Sequence, residues 1–146
     1  MITIPYYETS FFALHNFSAN AIEIDGTTYP TAEHAFHALK FDDPRIREKI
    51  VNSSSPVTAF HLGKKYKPQR RADWDDIKVG VLEDIIRRKA QQNPDVKEAL
   101  LLSGDEQIVE LNENDGFWGS GADGKGMNHT GKILMKIRDE LRSSNS

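Results

Sequence analysis

Apolar residues recur along this chain at helical spacing in several runs, and most runs are bracketed by a start or stop signal. From Thr31 to Phe41, at about 100° per residue, Ala32, Ala35, Phe36 and Leu39 fall on one stripe at the i, i+3, i+4, i+7 spacing of a buried face. Pro30 and Thr31 open this helix, and Thr31 is placed to cap the free amides of its first turn. Asp43-Pro44 starts a second helix that reaches about Asn52, and Ser55-Pro56 starts a third that runs to Gly63. Asp73 caps the longest pattern, whose stripe of Ile77, Val81, Leu82, Ile85 and Ile86 extends to Asn93. This helix is expected to be the centre of the core. Pro94 opens a short helix through Leu102 that Ser103-Gly104 closes, and a last helix over about Asn128 to Arg142 carries Ile133, Leu134, Ile137 and Leu141 on its core face.

Period-two pattern is scarcer. Ala21-Ile22-Glu23-Ile24 and Thr27-Thr28-Tyr29 flank Asp25-Gly26, a two-residue connection that makes a tight hairpin because both positions tolerate positive φ. Gln107 to Leu111 also reads as a strand, with Ile108 and Val109 as its β-formers. The fold class is therefore α+β: a mostly helical single domain, residues 1–146, with a small antiparallel sheet and residues 143–146 as a frayed tail. No repeat, low-complexity tract or linker divides it.

Composition narrows the function classes. A chain of 146 residues with 38% apolar and 28% charged residues suits one soluble domain large enough to bury a core without staples. No run approaches the length of a membrane span, and the start Met1-Ile2-Thr3-Ile4-Pro5 lacks a basic region leading into a long apolar stretch, so a cytoplasmic protein with no membrane partner is expected. The absence of cysteine removes disulfides, thiolate nucleophiles and cysteine-rich zinc sites. A net charge of -3 argues against holding nucleic acid by bulk electrostatics. The local run Lys64-Lys65-Tyr66-Lys67-Pro68-Gln69-Arg70-Arg71 reads either as a solvated loop or as a phosphate-binding surface.

Two stretches carry candidate chemistry. On the first helix Glu33, His37 and Lys40 form a second stripe at i, i+4 and i+7, on the shoulder of the apolar face rather than opposite it. A carboxylate there is partly desolvated and can border a cleft; the plain alternative is a polar edge held by Glu-to-Lys attraction. The second stretch, Asn112 to Gly126, is long, polar and glycine-rich, and it carries Phe117 and Trp118. Its glycines let backbone approach a ligand, and Trp118 is either a platform for a heteroaromatic ring or an anchor for the loop. Walker and dinucleotide-binding spacings are missing. His34 and His37 lack the spacing of a helical metal-ligand pair and point about 60° apart, so no metal or other cofactor is expected, and no serine stands in a triad signature.

Taken in order, Leu14-His15-Asn16-Phe17, Tyr29-Pro30-Thr31-Ala32-Glu33-His34 with Lys40-Phe41, Arg71-Ala72-Asp73-Trp74, Asn114-Asp115 with Trp118-Gly119, and Gly126-Met127-Asn128 with Gly131-Lys132-Ile133-Leu134-Met135 resemble the successive blocks of the NADAR or YbiA-like family. The resemblance runs from about Phe12 to Leu141.

The resemblance implies an N-glycosidase, a hydrolase that cuts the bond between a ribose-type sugar and a nitrogen. The implied substrate is either ADP-ribosyl-guanine in DNA or RNA or a ribosylamino-pyrimidine phosphate of riboflavin synthesis. It also implies Glu33, Lys40 and Asp115 as the catalytic set, and Asn16, Phe36, Arg71, Trp74, Trp118, Gly119 and Asn128 as substrate-binding residues. The partner is a small ADP-ribosyl or phosphoribosyl compound, and the protein is expected to be a monomer or weak homo-oligomer. The chemistry is consistent, since breaking a C–N glycosidic bond builds oxocarbenium charge that a carboxylate stabilises while it activates water. Glu33 is expected to hold Lys40 in its charged form, which suits contact with a phosphate or hydroxyl better than attack on the sugar. His37, outside the family blocks, is expected to pack or hydrogen-bond only. The competing function is a non-catalytic ADP-ribose or nucleotide reader; a third is a purely structural helical domain.

Overall fold

Turn chemistry and side-chain caps account for where the hairpin turns and where the first three helices begin. The computed structural model describes residues 1–5 and 10–145. Their packing divides the chain into two compact units, Asn16–Gln92 and Met1–His15 with Asn93–Ser146. No linker marks the boundary, because Gln92 ends one helix and Asn93 is the N-cap of the next.

In the unit Asn16–Gln92, strands β2 (Ile22–Ile24) and β3 (Thr27–Tyr29) pair antiparallel with Ile22 opposite Tyr29 and Ile24 opposite Thr27. The expected tight turn joins them, with φ of 51° at Asp25 and 86° at Gly26. Helix α1 (Ala32–Ala38) starts at Thr31, whose hydroxyl accepts the His34 N–H at 3.1 Å. Helices α2 (Pro44–Val51) and α3 (Pro56–Lys65) open on Asp43 and Ser55 caps with Pro in the first turn, and α3 continues two residues past Gly63. Helix α4 (Trp74–Gln92) follows a short 3-10 turn at Lys67–Gln69.

The hub of this unit is α1 rather than the long α4. Although it has seven residues, α1 packs against α2, α3, α4 and β3. Its Ala32, Ala35 and Ala38 are completely buried, and His34 and His37 are buried with them. Three small side chains let neighbouring backbones close in on every side, so the expected single apolar stripe becomes a helix buried nearly all round. In α4 only part of the expected stripe, Leu82, Ile85 and Ile86, is fully buried; Ile77 and Val81 are half-exposed.

The other unit contains a ladder that the sequence pattern does not reveal. Strand β1 (Ile2–Ile4) pairs parallel with β4 (Ile108–Glu110), Ile2 opposite Ile108 and Ile4 opposite Glu110, a sheet separate from the expected antiparallel hairpin. Parallel pairing needs no local turn and leaves no local signal when nearly the whole chain separates the partners. Helix α5 (Pro94–Leu102) packs on a 3-10 turn at Ser10–Leu14 and on helix α6 (His129–Asn145), which also covers β4. Buried Arg138 of α6 donates to Ser103 Oγ at 3.0 Å and to the Glu106 carbonyl at 2.6 Å. Of the expected frayed tail, residues 143–145 form the last turn of α6, where the Ser143 and Ser144 hydroxyls donate to the Asp139 and Glu140 carbonyls at 3.1 Å; Ser146 lies outside the described residues. Among the described residues no helix is long and apolar enough to cross a membrane.

Candidate active site

Glu33 and His37 stand one turn apart on α1, and His37 Nε2 lies 2.6 Å from Glu33 Oε1. Both side chains are mostly withdrawn from water, at 12% exposure for Glu33 and 4% for His37. An ionised carboxylate only accepts, so the imidazole donates through Nε2. The Glu33 N–H, one of the orphan amides of a first helical turn, donates to the Asn16 carbonyl at 3.0 Å. Asn16 Oδ1 is buried without a hydrogen-bond partner among the described residues. His34 is tied into the scaffold. Its Nε2 is 3.2 Å from the Ser53 carbonyl, which can only accept, so Nδ1 accepts the Thr31 hydroxyl proton at 2.8 Å. Burial holds His34 below its ordinary pKa, against the pull of the Ser53 carbonyl and Glu33, so the ring is a neutral structural link.

Lys40 follows α1 by two residues. Its Nζ lies 5.2 Å from the centre of the Phe36 ring and 5.9 Å from that of Trp74, and the two rings are 5.1 Å apart. Phe36 and Trp74 are both buried and form the surface on which the ammonium rests. Burial pushes Lys40 down from 10.5 to about 8, and Arg70, Lys78 and Lys67 push the same way, while Glu33 opposes them. The expected attraction from Glu33 is present, yet desolvation outweighs it. Arg71 is anchored by its N–H to the Lys40 carbonyl at 2.8 Å, and its guanidinium grips Asp73 through two bonds of 2.7 and 3.1 Å. Arg70 and Lys78 share Asp75 at 3.2 and 3.3 Å. Lys40 thus sits in a cationic neighbourhood supplied by the basic run and α4.

The other predicted residues belong to the loop between β4 and α6 in the second unit. Asp115 Oδ1 accepts the N–H groups of Phe117 and Trp118 at 2.9 and 2.8 Å, which fixes the turn carrying both aromatics. Trp118 is half-buried, edge-on to Phe117 with ring centres 4.8 Å apart, and Phe117 lies 4.5 Å from the His129 ring. Gly119 lies so close to Glu110 that a Cβ there would stand 2.6 Å from its carbonyl oxygen. Asn128, buried at φ 52°, donates from Nδ2 to the Ile108 carbonyl and accepts the Glu110 N–H through Oδ1, both at 2.9 Å. Its side chain completes the backbone bonding of β4.

Around α1, then, the structure gathers Glu33, Lys40, Phe36, Trp74, Asn16 and the backbone of Arg71. It gathers Asp115, Trp118, Gly119 and Asn128 in the loop, where Asp115 and Asn128 hold backbone in place. Sequence reasoning set His37 aside, although its i+4 spacing from Glu33 was the available signal. Gly63 and Lys78 carried no signal, because their relevance depends on helices meeting in space. Among the described residues no group of three or more His, Asp and Glu side chains is arranged to hold a metal ion.

Comparison with known proteins agrees with the sequence blocks. The family model described as NADAR domain matches residues 3–142. The chain is 39% identical over 140 residues to the N-glycosidase YbiA of Escherichia coli, covering 94% of this chain and 88% of that protein. It is 37% identical over 147 residues to an N-glycosidase of Nostoc punctiforme, covering 97% and 94% respectively. It is also 42% identical over 129 residues to a riboflavin biosynthesis protein of Vibrio vulnificus; that match covers 88% of this chain but 35% of the relative's length. The solution structure of Escherichia coli YbiA superposes with a TM-score of 0.88 at 35% identity, covering 99% of this chain and 86% of the other.

Proposed function

Because the chain belongs to the NADAR domain family, we propose that it is an N-glycosidase that hydrolyses the C–N bond between a phosphorylated ribose and a pyrimidine amine, with Glu33 as the water-activating carboxylate. The observation that carries this reading is the pairing of a hydrogen-bonded carboxylate, Glu33 on the buried helix α1, with a desolvated ammonium, Lys40 in the turn just after it, set among further cations. In the proposed step Glu33 accepts a proton from water as the water oxygen attacks the anomeric carbon, and the nitrogen leaves with the electron pair of the broken bond and takes up a proton from solvent, giving the free amine and the sugar hydroxyl. The carboxylate charge also stabilises the oxocarbenium character of the sugar, which it does better in a dry site than in water. Lys40, with Arg70, Lys67 and Lys78 contributing to the local field, favours a substrate that carries phosphate. The ribosylamino-pyrimidine phosphate class is preferred because the Vibrio relative is named for riboflavin biosynthesis.

The test sets that compound beside an ADP-ribosylated guanine oligonucleotide and follows release of the amine or base. The pyrimidine compound is expected to be cleaved; cleavage of the oligonucleotide alone would move the proposal to nucleic acid, and turnover of neither would end the N-glycosidase reading.

Lys40 makes the pH profile diagnostic. As an ammonium that holds phosphate it must be protonated, so kcat/KM is expected to fall as pH rises through about 8. Lys40→Arg, charged at every accessible pH, is expected to keep turnover and lose that falling limb. A route in which neutral Lys40 attacks the sugar predicts the reverse: a rate that rises through the same range and an inactive Lys40→Arg.

A further inference from the structure

The side chain that the proposed chemistry leaves unexplained is His37. It is 4% exposed, yet its Nδ1 is buried with no hydrogen-bond partner among the described residues, while its Nε2 meets Glu33 at 2.6 Å. A ring placed only to pack would not bury one polar nitrogen uncompensated in order to aim the other at a carboxylate. Its surroundings are shaped to hold that aim. Phe36 and Phe60 stand edge-on to the imidazole, with ring centres 5.5 and 5.6 Å away, and α3 presents Gly63 to its remaining edge. A Cβ at Gly63 would lie 2.6 Å from His37 Nδ1 and 3.2 Å from Cγ, so no residue with a side chain fits there unless the ring moves.

We propose that His37 is a positioning residue for Glu33: neutral, protonated at Nε2, and clamped between Phe36, Phe60 and the backbone of Gly63, it fixes the carboxylate rotamer and leaves its second oxygen to meet water. The inference rests on the N-glycosidase reading for its catalytic consequence but not for its geometry. With Nε2 donating to Glu33, Nδ1 presents only a lone pair, which is cheaper to bury unpartnered than an N–H in the same place. The imidazole thereby takes up one carboxylate oxygen and restricts rotation about the Glu33 side chain. Misplacing a reacting group by about an ångström costs on the order of a hundred-fold in rate.

The experiment has a kinetic arm and a spectroscopic arm. His37→Leu is expected to lower kcat by about 10- to 100-fold with little change in KM, and His37→Gln, whose Nε2 can donate to the same oxygen, to recover most of the loss. Gly63→Ala, which leaves both functional side chains in the sequence, is expected to lower kcat by displacing the ring. Wild-type kcat in His37→Leu, or equal losses in the Leu and Gln variants, would overturn the proposal. In the second arm, 15N spectra of the imidazole are expected to show the Nε2–H tautomer, with its hydrogen-bonded proton signal lost in Glu33→Ala. An Nδ1–H tautomer, or a signal indifferent to Glu33, would overturn it even if no substrate is turned over. Failure of the wild-type protein to cleave any glycosyl amine would count against the function and leave the spectra to judge the clamp.

Discussion

Glu33→Gln is expected to reduce the rate of base release by about a thousand-fold while leaving the protein folded and able to bind. Glutamine keeps the length of the side chain and an oxygen that accepts the His37 Nε2–H, now 2.6 Å from Oε1, so the local packing around α1 survives. What it loses is the negative charge that opposes oxocarbenium development and the basic oxygen that takes a proton from water. Paired measurements decide the point: single-turnover release of the amine, and calorimetric binding of a non-hydrolysable ribosyl phosphate analogue. An enzyme binds that analogue in the variant about as well as in the wild type. A non-catalytic reader would bind phosphorylated ligand as well or better without the Glu33 charge and would show no wild-type turnover to lose. Full turnover in Glu33→Gln would remove Glu33 from the chemistry.

The largest effect on stability is expected from Gly131→Ala, a loss of about 3 kcal/mol arising from overpacking and a broken polar pair. Gly131 lies in the first turn of α6, and a Cβ there would come well inside 3.0 Å of the Ile108 carbonyl oxygen and of both polar atoms of the Asn128 amide. Those atoms are bonded to one another and to β4, through Asn128 Nδ2 to Ile108 and the Glu110 N–H to Asn128 Oδ1. The added methyl therefore pushes apart the helix start and the strand it completes. In thermal unfolding this corresponds to a drop in Tm of roughly 10 °C. Gly80→Ala is the matched control. Gly80 is on the exposed side of α4 with nothing within 4 Å of an added Cβ, so this change is expected to stabilise by about 0.5–1 kcal/mol through helix propensity. Equal behaviour of the two variants would refute the close-approach argument.

Element starts were legible because their causes are local. Thr31, Asp43 and Ser55 each cap a helix through a side-chain bond to an amide two or three residues on, and Asp25-Gly26 adopts the two positive φ values of its turn. The β1–β4 ladder was not legible, since no property of Ile2-Thr3-Ile4 names Ile108–Glu110 as its partner. Nor was the role of α1 as hub: the strength of an apolar pattern favours α4, whereas centrality follows from how closely three alanines let other backbones approach.

The candidate site divides along the same line. Sequence alone determined that Glu33 and His37 share one side of a helix, because helical periodicity places them there whatever surrounds it, while the expected third member, Lys40, stands in the turn after α1 ends at Ala38; the ordered blocks identified the family to which the chain belongs. Tertiary structure alone decided how those groups behave. It took Lys40 to about 8 by burying it over Phe36 and Trp74 among other cations, and it turned Asp115 and Asn128 inward to hold backbone. It also brought Gly63 of α3 against the ring of His37. Desolvation and close approach depend on atoms distant along the chain, and a sequence pattern does not contain those distances.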